Sequence, residues 1–199
     1  MTIGIIGSGA IGAAFARTLS RSGIEATISN SRGPDSLQDL EKELGPSIRA
    51  GTRQEAASAD IVFIAVNWTK LPAALTGLPD WGGRIVIDAN NPIEAPLFKP
   101  VDLNGRVSSE VVADLVPGAR VVKAFNHLRA EILAGDPRTD GGRRVLFYSG
   151  NDGAAKAEVA ALIERIGFAG IDLGSLVVGG KLAQFPGGLL PNQNLVKVG

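Results

Sequence analysis

Short, almost wholly apolar runs recur along this chain, and between them lie stretches whose apolar residues repeat at helical spacing. Ile3 to Ile6, Glu25 to Ser29, Ser47 to Ala50, Asp60 to Val66, Arg84 to Asp88, Arg120 to Ala124, Arg144 to Ser149 and Phe168 to Leu173 read as strands. Runs so apolar, with so little polar alternation, belong to strands covered on both faces. Helices are expected at Ala10 to Arg21, stopping before Gly23, and at Ser36 to Leu44, between Pro34 and Gly45-Pro46. Further helices are expected at Thr52 to Ser58, at Trp68 to Leu75 despite Pro72, at Ser109 to Leu115, and at Ala154 to Ile166 behind the cap Asn151-Asp152. The proline-rich segment Ile93 to Gly105 is expected to be loop, and Arg129 to Asp140 a loop or short helix. Such alternation predicts an α/β fold with a doubly wound, mostly parallel sheet and helices on both faces. It forms a single domain over residues 1–174, with a short C-terminal extension over 175–199.

One junction carries chemistry. The first strand breaks into Gly7-Ser8-Gly9-Ala10-Ile11-Gly12 and the chain turns helical, with small residues at Ala13 and Ala14. In a strand–turn–helix setting, Gly7 permits the tight turn, Gly9 lets backbone N–H groups approach a pyrophosphate, and Gly12 lets helix and strand pack closely. The helix N-terminus adds unpaired N–H groups and the positive end of its dipole. A dinucleotide site is therefore expected here, against the plainer reading of a glycine-rich turn.

The second strand bears on which dinucleotide. NAD sites place an acid about 20 residues beyond the first glycines, on the ribose 2′-OH. Here the chain reads Ser29-Asn30-Ser31-Arg32-Gly33-Pro34, with no acid before Asp35. Ser31 and the Arg32 guanidinium can donate charge-assisted hydrogen bonds to a 2′-phosphate, which a carboxylate would repel. NADP is preferred, although Asn30 to Gly33 also suit a simple turn.

Composition removes other classes. Formal net charge is zero, with 20 basic and 20 acidic residues among 199, and no basic run interleaves with aromatics, so neither nucleic acid nor an anionic membrane is an expected partner. Cysteine is absent and there is one histidine, which excludes thiolate chemistry, disulfides and Cys- or His-rich metal sites. No apolar run reaches the ~18 residues a membrane span needs, and no basic leader opens the chain, so a cytoplasmic protein is expected.

Ligands of doubly wound sheets lie at strand carboxyl ends. Three such ends carry small or polar groups: Ala65-Val66-Asn67-Trp68, Asp88-Ala89-Asn90-Asn91-Pro92 and Lys123-Ala124-Phe125-Asn126-His127. Asn90 and Asn91 could bond ribose or simply turn the backbone, and Trp68 could cover a ring or pack on a helix. His127 is a weak catalytic candidate, having no carboxylate partner in view. Asp88 and Lys123 flank apolar strands and read as structural.

The glycine fingerprint, the Ser-Asn-Ser-Arg-Gly-Pro segment from Ser29, Asp88 to Pro92, Val122 to Asn126 and Ser149-Gly150-Asn151-Asp152 follow one another in an order that resembles the NADPH-dependent coenzyme F420 reductase family and its relatives, including the reductase domain of membrane metalloreductases. The resemblance covers Thr2 to Gly174. It implies a Rossmann domain binding NADP, with Ser31 and Arg32 on the 2′-phosphate. It also implies direct hydride transfer between the nicotinamide and a flat acceptor, F420 or a flavin. Such transfer depends on holding two rings face to face more than on acid or base help.

Coenzyme contacts are expected from Gly7 to Gly12, Asn30, Ser31, Arg32, Ala65, Val66, Asn67, Asn90, Asn91 and Ala124. Ser175 to Gly199 is too short and too rich in Gly and Pro for its own core. It is expected to line the acceptor pocket or to cross onto a second copy in a homodimer, burying Phe185, Leu189 and Leu190. Two other functions fit the same motifs: reduction of a small imine or keto compound, with His127 or Lys123 as proton donor, and a non-catalytic NADP(H) sensor.

Overall fold

The computed structural model describes residues 1–94 and 97–199. Its first half alternates as the apolar pattern dictates: β1 (Ile3–Ile6), α1 (Ala10–Arg21), β2 (Ala26–Ser29), α2 (Gln38–Leu44), β3 (Ile48–Ala50), α3 (Arg53–Ala57), β4 (Ile61–Ile64), α4 (Leu71–Leu75) and β5 (Ile85–Asp88). Pro34 and Pro72 each stand in an opening turn, where a missing N–H costs nothing: Pro34–Leu37 is a tight 3-10 turn leading into α2, and Pro72 is in the first turn of α4. Thr52 caps α3 reciprocally with Glu55, each side chain bonding the other's backbone N–H.

Beyond β5, residues expected to be loop form a small hairpin of β6 (Ile93–Glu94) and β7 (Lys99–Pro100); positions 95 and 96 of that stretch lie outside the described residues. The chain continues through α5 (Ser108–Leu115), β8 (Arg120–Ala124), α6 (Ala130–Ala134), β9 (Arg138–Thr139), β10 (Gly142–Gly150), α7 (Gly153–Arg165), β11 (Ala169–Asp172), α8 (Lys181–Ala183) and β12 (Val196–Val198). The Asp152 carboxylate caps α7 by accepting from Ala155 N at 2.7 Å.

The sheet runs β11-β10-β8-β5-β4-β1-β2-β3. The strands from β8 to β3 are mutually parallel, whereas β10 lies antiparallel to β8 and starts beyond its carboxyl end. Side chains alternate across the sheet and divide the core in two. Ile5, Phe63 and Ile87 point toward α1, α6 and α7, and Phe15 of α1 stacks on Phe63 with ring centroids 4.0 Å apart. Ile6, Val62, Ile64 and Val86 face α3, α4 and α5.

The extension packs back on the same chain. Val145 N donates to Leu195 O, and β12 pairs with the free end of β10. No described helix is long and apolar enough to cross a membrane.

Candidate coenzyme site

The strand order reverses between β1 and β4, and there the glycine turn opens. Gly7 has φ +110°, and a Cβ on it would fall 2.1 Å from Ala65 O. A Cβ on Gly12 would fall 1.9 Å from Gly7 O, so α1 reaches the turn only because that atom is missing. Gly9 is different: a Cβ there would meet nothing within 4 Å. Its lack of a side chain relieves no clash with the described residues and leaves open space before the α1 N-terminus, which has no side-chain cap.

A cleft of about 590 Å³ extends from this point. Gly7, Ser8 and Gly9 form one side, Asn30, Ser31 and Arg32 the end of β2, and Ala65, Val66 and Asn67 the end of β4. Asn30 organises its loop: its Oδ1 accepts from Arg32 N at 2.8 Å, and its Nδ2 donates to Ser36 Oγ at 2.9 Å and to Ser8 Oγ at 3.3 Å. This leaves Ser31 and Arg32 exposed at the rim.

Arg53 and Lys70 also line the cleft, and neither was singled out from the sequence. Arg53 Nη1 donates to Ala73 O and Ala74 O at 2.9 and 2.8 Å, which fixes the guanidinium against α4. Among its described lining residues the cleft thus has three cations and no carboxylate. That charge suits a ligand with several phosphate oxygens. A second hollow, about 540 Å³, lies by the β9–β10–β12 hairpin; it contains Asp140 beside Arg138, Arg143 and Lys197, and no helix N-terminus among its described lining residues.

The remaining expected site residues do not line the cleft. Ala10, Ile11 and Gly12 form the first turn of α1. Ala124 is fully buried in the core. Asn90 is buried and its side chain is consumed internally: Oδ1 accepts from Val66 N at 2.8 Å, and Nδ2 donates to Ile64 O and Asp88 Oδ1. It therefore holds the cleft wall at Val66 in place from behind. Asn91 bonds reciprocally with Asn126, through its Nδ2 to Asn126 O at 2.8 Å and from Asn126 Nδ2 to its Oδ1 at 2.9 Å. Trp68 packs in the core on the α3–α5 side.

Beneath these loops lies a buried polar cluster. Lys123 Nζ is 3.1 Å from Asp88 Oδ2, both side chains fully buried, and it also donates to Asn90 O. Ser109 Oγ donates to the same carboxylate oxygen at 2.8 Å. Burial lowers the Lys123 pKa and the Asp88 charge opposes that shift. Enclosed and paired, Lys123 has no path for giving a proton to a ligand.

His127 is 2% exposed, its ring centroid 4.9 Å from that of Phe147. Neither ring nitrogen has a hydrogen-bond partner among the described residues. Burial pushes its pKa down to about 4, the Val145 backbone offsetting only part of this. The imidazole is thus neutral at physiological pH and sits apart from the cleft.

A family profile described as NADP oxidoreductase, coenzyme F420-dependent, matches residues 2–92. The Sinorhizobium meliloti protein SMa0349 is 49% identical in sequence, with a TM-score of 0.94 over 99% of this chain and 96% of its own. A protein of Arthrobacter sp. FB24 described as an F420-dependent NADP reductase is 32% identical, with a TM-score of 0.74 over 88% of this chain and 86% of its own. Metalloreductase STEAP3 of Rattus norvegicus is 34% identical over 193 residues, 96% of this chain but 37% of that protein, so the chain spans little more than a third of the metalloreductase.

Proposed function

Because this chain belongs to the family of coenzyme F420-dependent NADP oxidoreductases, we propose that it binds NADP(H) in the cleft at the glycine turn and exchanges hydride between the nicotinamide and a flat acceptor such as F420 or a flavin. The observation that carries this reading is the cleft itself: open space at Gly9 before an uncapped helix, rimmed by Ser31 and three cations with no acid among the described lining residues. The N–H groups at the start of α1 hold the diphosphate, and Ser31 and Arg32 hold the 2′-phosphate, with Lys70 and Arg53 on the facing wall. Asn90, anchored by Lys123, fixes the Val66 segment along which the ribose lies.

When bound, the coenzyme supplies or receives the hydride. The chain's own part is to position it and exclude water, so no side chain is needed as acid or base. The burial of both His127 and Lys123 favours this over reduction of an imine or ketone, which requires a proton donor at the reacting ring.

The extension over 175–199 forms the acceptor side of the site, its backbone being hydrogen-bonded to side chains at the ends of β5 and β8. Val177, Val178 and Leu189, the last 78% exposed, give a surface for a homodimer of this cytoplasmic enzyme. Loss of NADPH absorbance tested with F420, free flavins and cyclic imines checks the assignment. Turnover with a flat redox ring supports it; tight NADPH binding with turnover of none would favour a sensor. Light scattering tests the dimer, a single-chain mass counting against it.

A further inference from the structure

The strand order puts the loops after β5 and β8 on the opposite side of the glycine turn from Arg32, where the hydride-exchanging end of a dinucleotide lies in such sheets. Residues 183–185 cross these loops. Asn126 Nδ2 donates to Ala183 O at 2.6 Å, Phe185 N donates to Asn91 Oδ1 at 3.0 Å, and Ser108 N donates to Gln184 Oε1 at 2.8 Å. The Asn126 amide has one possible orientation: its nitrogen lies between two carbonyl oxygens, Ala183 O and Asn91 Oδ1, and a flip would set oxygen against oxygen.

Two features are then left over. Asn126 Oδ1 is buried without a hydrogen-bond partner among the described residues, a state proteins rarely leave unexplained. Phe185, half-buried, belongs to neither of the two hydrophobic clusters, although its backbone is pinned. Next to Asn126 in the chain, Phe125 is packed in the core and holds φ +66°, a left-handed conformation that a bulky residue rarely adopts.

We infer that Phe185 and Asn126 form the subsite for the hydride-accepting ring, a flat heterocycle with a ring N–H: Phe185 supplies the stacking face and Asn126 Oδ1 accepts the N–H. This rests on the coenzyme reading above and adds the acceptor's recognition chemistry to it. The oxygen is enclosed, so the ring enters beneath residues 183–185, where Phe185 is held by a backbone hydrogen bond and not by core packing.

The test is flavin fluorescence quenching on protein first saturated with NADP, using lumiflavin and 3-methyllumiflavin, in which the ring N–H is replaced by a methyl group. Lumiflavin is expected to bind about fivefold to tenfold tighter than its methylated analogue. In Asn126→Ala that preference falls to within about twofold. Phe185→Ala weakens both ligands by about tenfold, and Phe185→Leu, which keeps apolar bulk, also weakens both. NADP affinity, measured separately by calorimetry, stays unchanged in the Phe185 variants. Equal binding of the two flavins by the unaltered chain, wild-type flavin affinity in both Phe185 variants, or no quenching by NADP-loaded protein each overturns the subsite. Failure of NADP itself to bind overturns the coenzyme reading instead. If an alanine variant does not fold, the methylation comparison on the unaltered chain and Phe185→Leu still decide.

Discussion

His127 offers a clean perturbation because it is the only histidine in the chain. Its folded pKa is about 4 against 6.5 for a solvated imidazole, lowered by burial. A depressed histidine pKa means that the unfolded chain binds the proton more readily. Stability is therefore full above pH 6.5 and is lost as pH falls from 6.5 toward 4. Each pKa unit corresponds to about 1.4 kcal/mol, so the loss is about 2 kcal/mol by pH 5 and about 3 kcal/mol below pH 4. Carboxylates titrate mainly below this window, leaving the limb between pH 6.5 and 5 to His127. Urea unfolding at pH 7.5 and pH 5 for the unaltered chain and for His127→Leu measures it. The unaltered chain should lose about 2 kcal/mol more than the variant. Parallel pH dependences would refute the buried, neutral histidine, and with it the separation of His127 from the reacting groups.

The remaining expectations concern the turn and the buried pair. Gly9→Ala should fold with unchanged urea midpoint, since among the described residues none beyond its chain neighbours lies within 4 Å of the added carbon, yet weaken NADP binding measured by calorimetry by about tenfold or more; Gly12→Ala, whose carbon would lie 1.9 Å from Gly7 O, should lose stability in the same unfolding assay. Lys123→Met should destabilise by about 3–5 kcal/mol in chemical unfolding, because Asp88 is left charged and buried, whereas Lys123→Met combined with Asp88→Leu should recover much of the loss. Lys70→Ala should weaken NADP binding and reduce its salt dependence without altering the unfolding midpoint, Lys70 being exposed on the cleft wall.

Much of this architecture can be read locally. The glycine turn, the helix after it and the strands from β1 to β5 are legible because each depends on neighbours within a few residues: a run of Ile and Val, a Gly at a left-handed turn, a Pro in a first helical turn. Residues whose role depends on distant partners are not. Arg53 looks like an ordinary first residue of a short helix, and its position in the cleft follows from the carbonyls of Ala73 and Ala74 on another element. Asn90 carries turn chemistry in Asn90-Asn91-Pro92, which hides that its side chain is spent on Val66, Ile64 and Asp88. The β6–β7 hairpin is two residues per strand and contains Pro100 at an edge, too little for any periodicity to show. β12 is likewise three residues long, ordered by pairing with β10 and not by its own pattern. The buried pair of Asp88 and Lys123 was legible as structural, flanking apolar strands whose parallel register sets Asp88 beside Lys123.

The central claim is that a cation at the end of β2 selects the phosphorylated coenzyme, and the affinities of NADP and NAD for the unaltered chain and for Arg32→Ala test it most directly. NADP should bind the unaltered chain more tightly than NAD, and the substitution should cost NADP about 1.5–3 kcal/mol while leaving NAD nearly untouched. Equal losses for the two coenzymes, or an unaltered chain that prefers NAD, would contradict it.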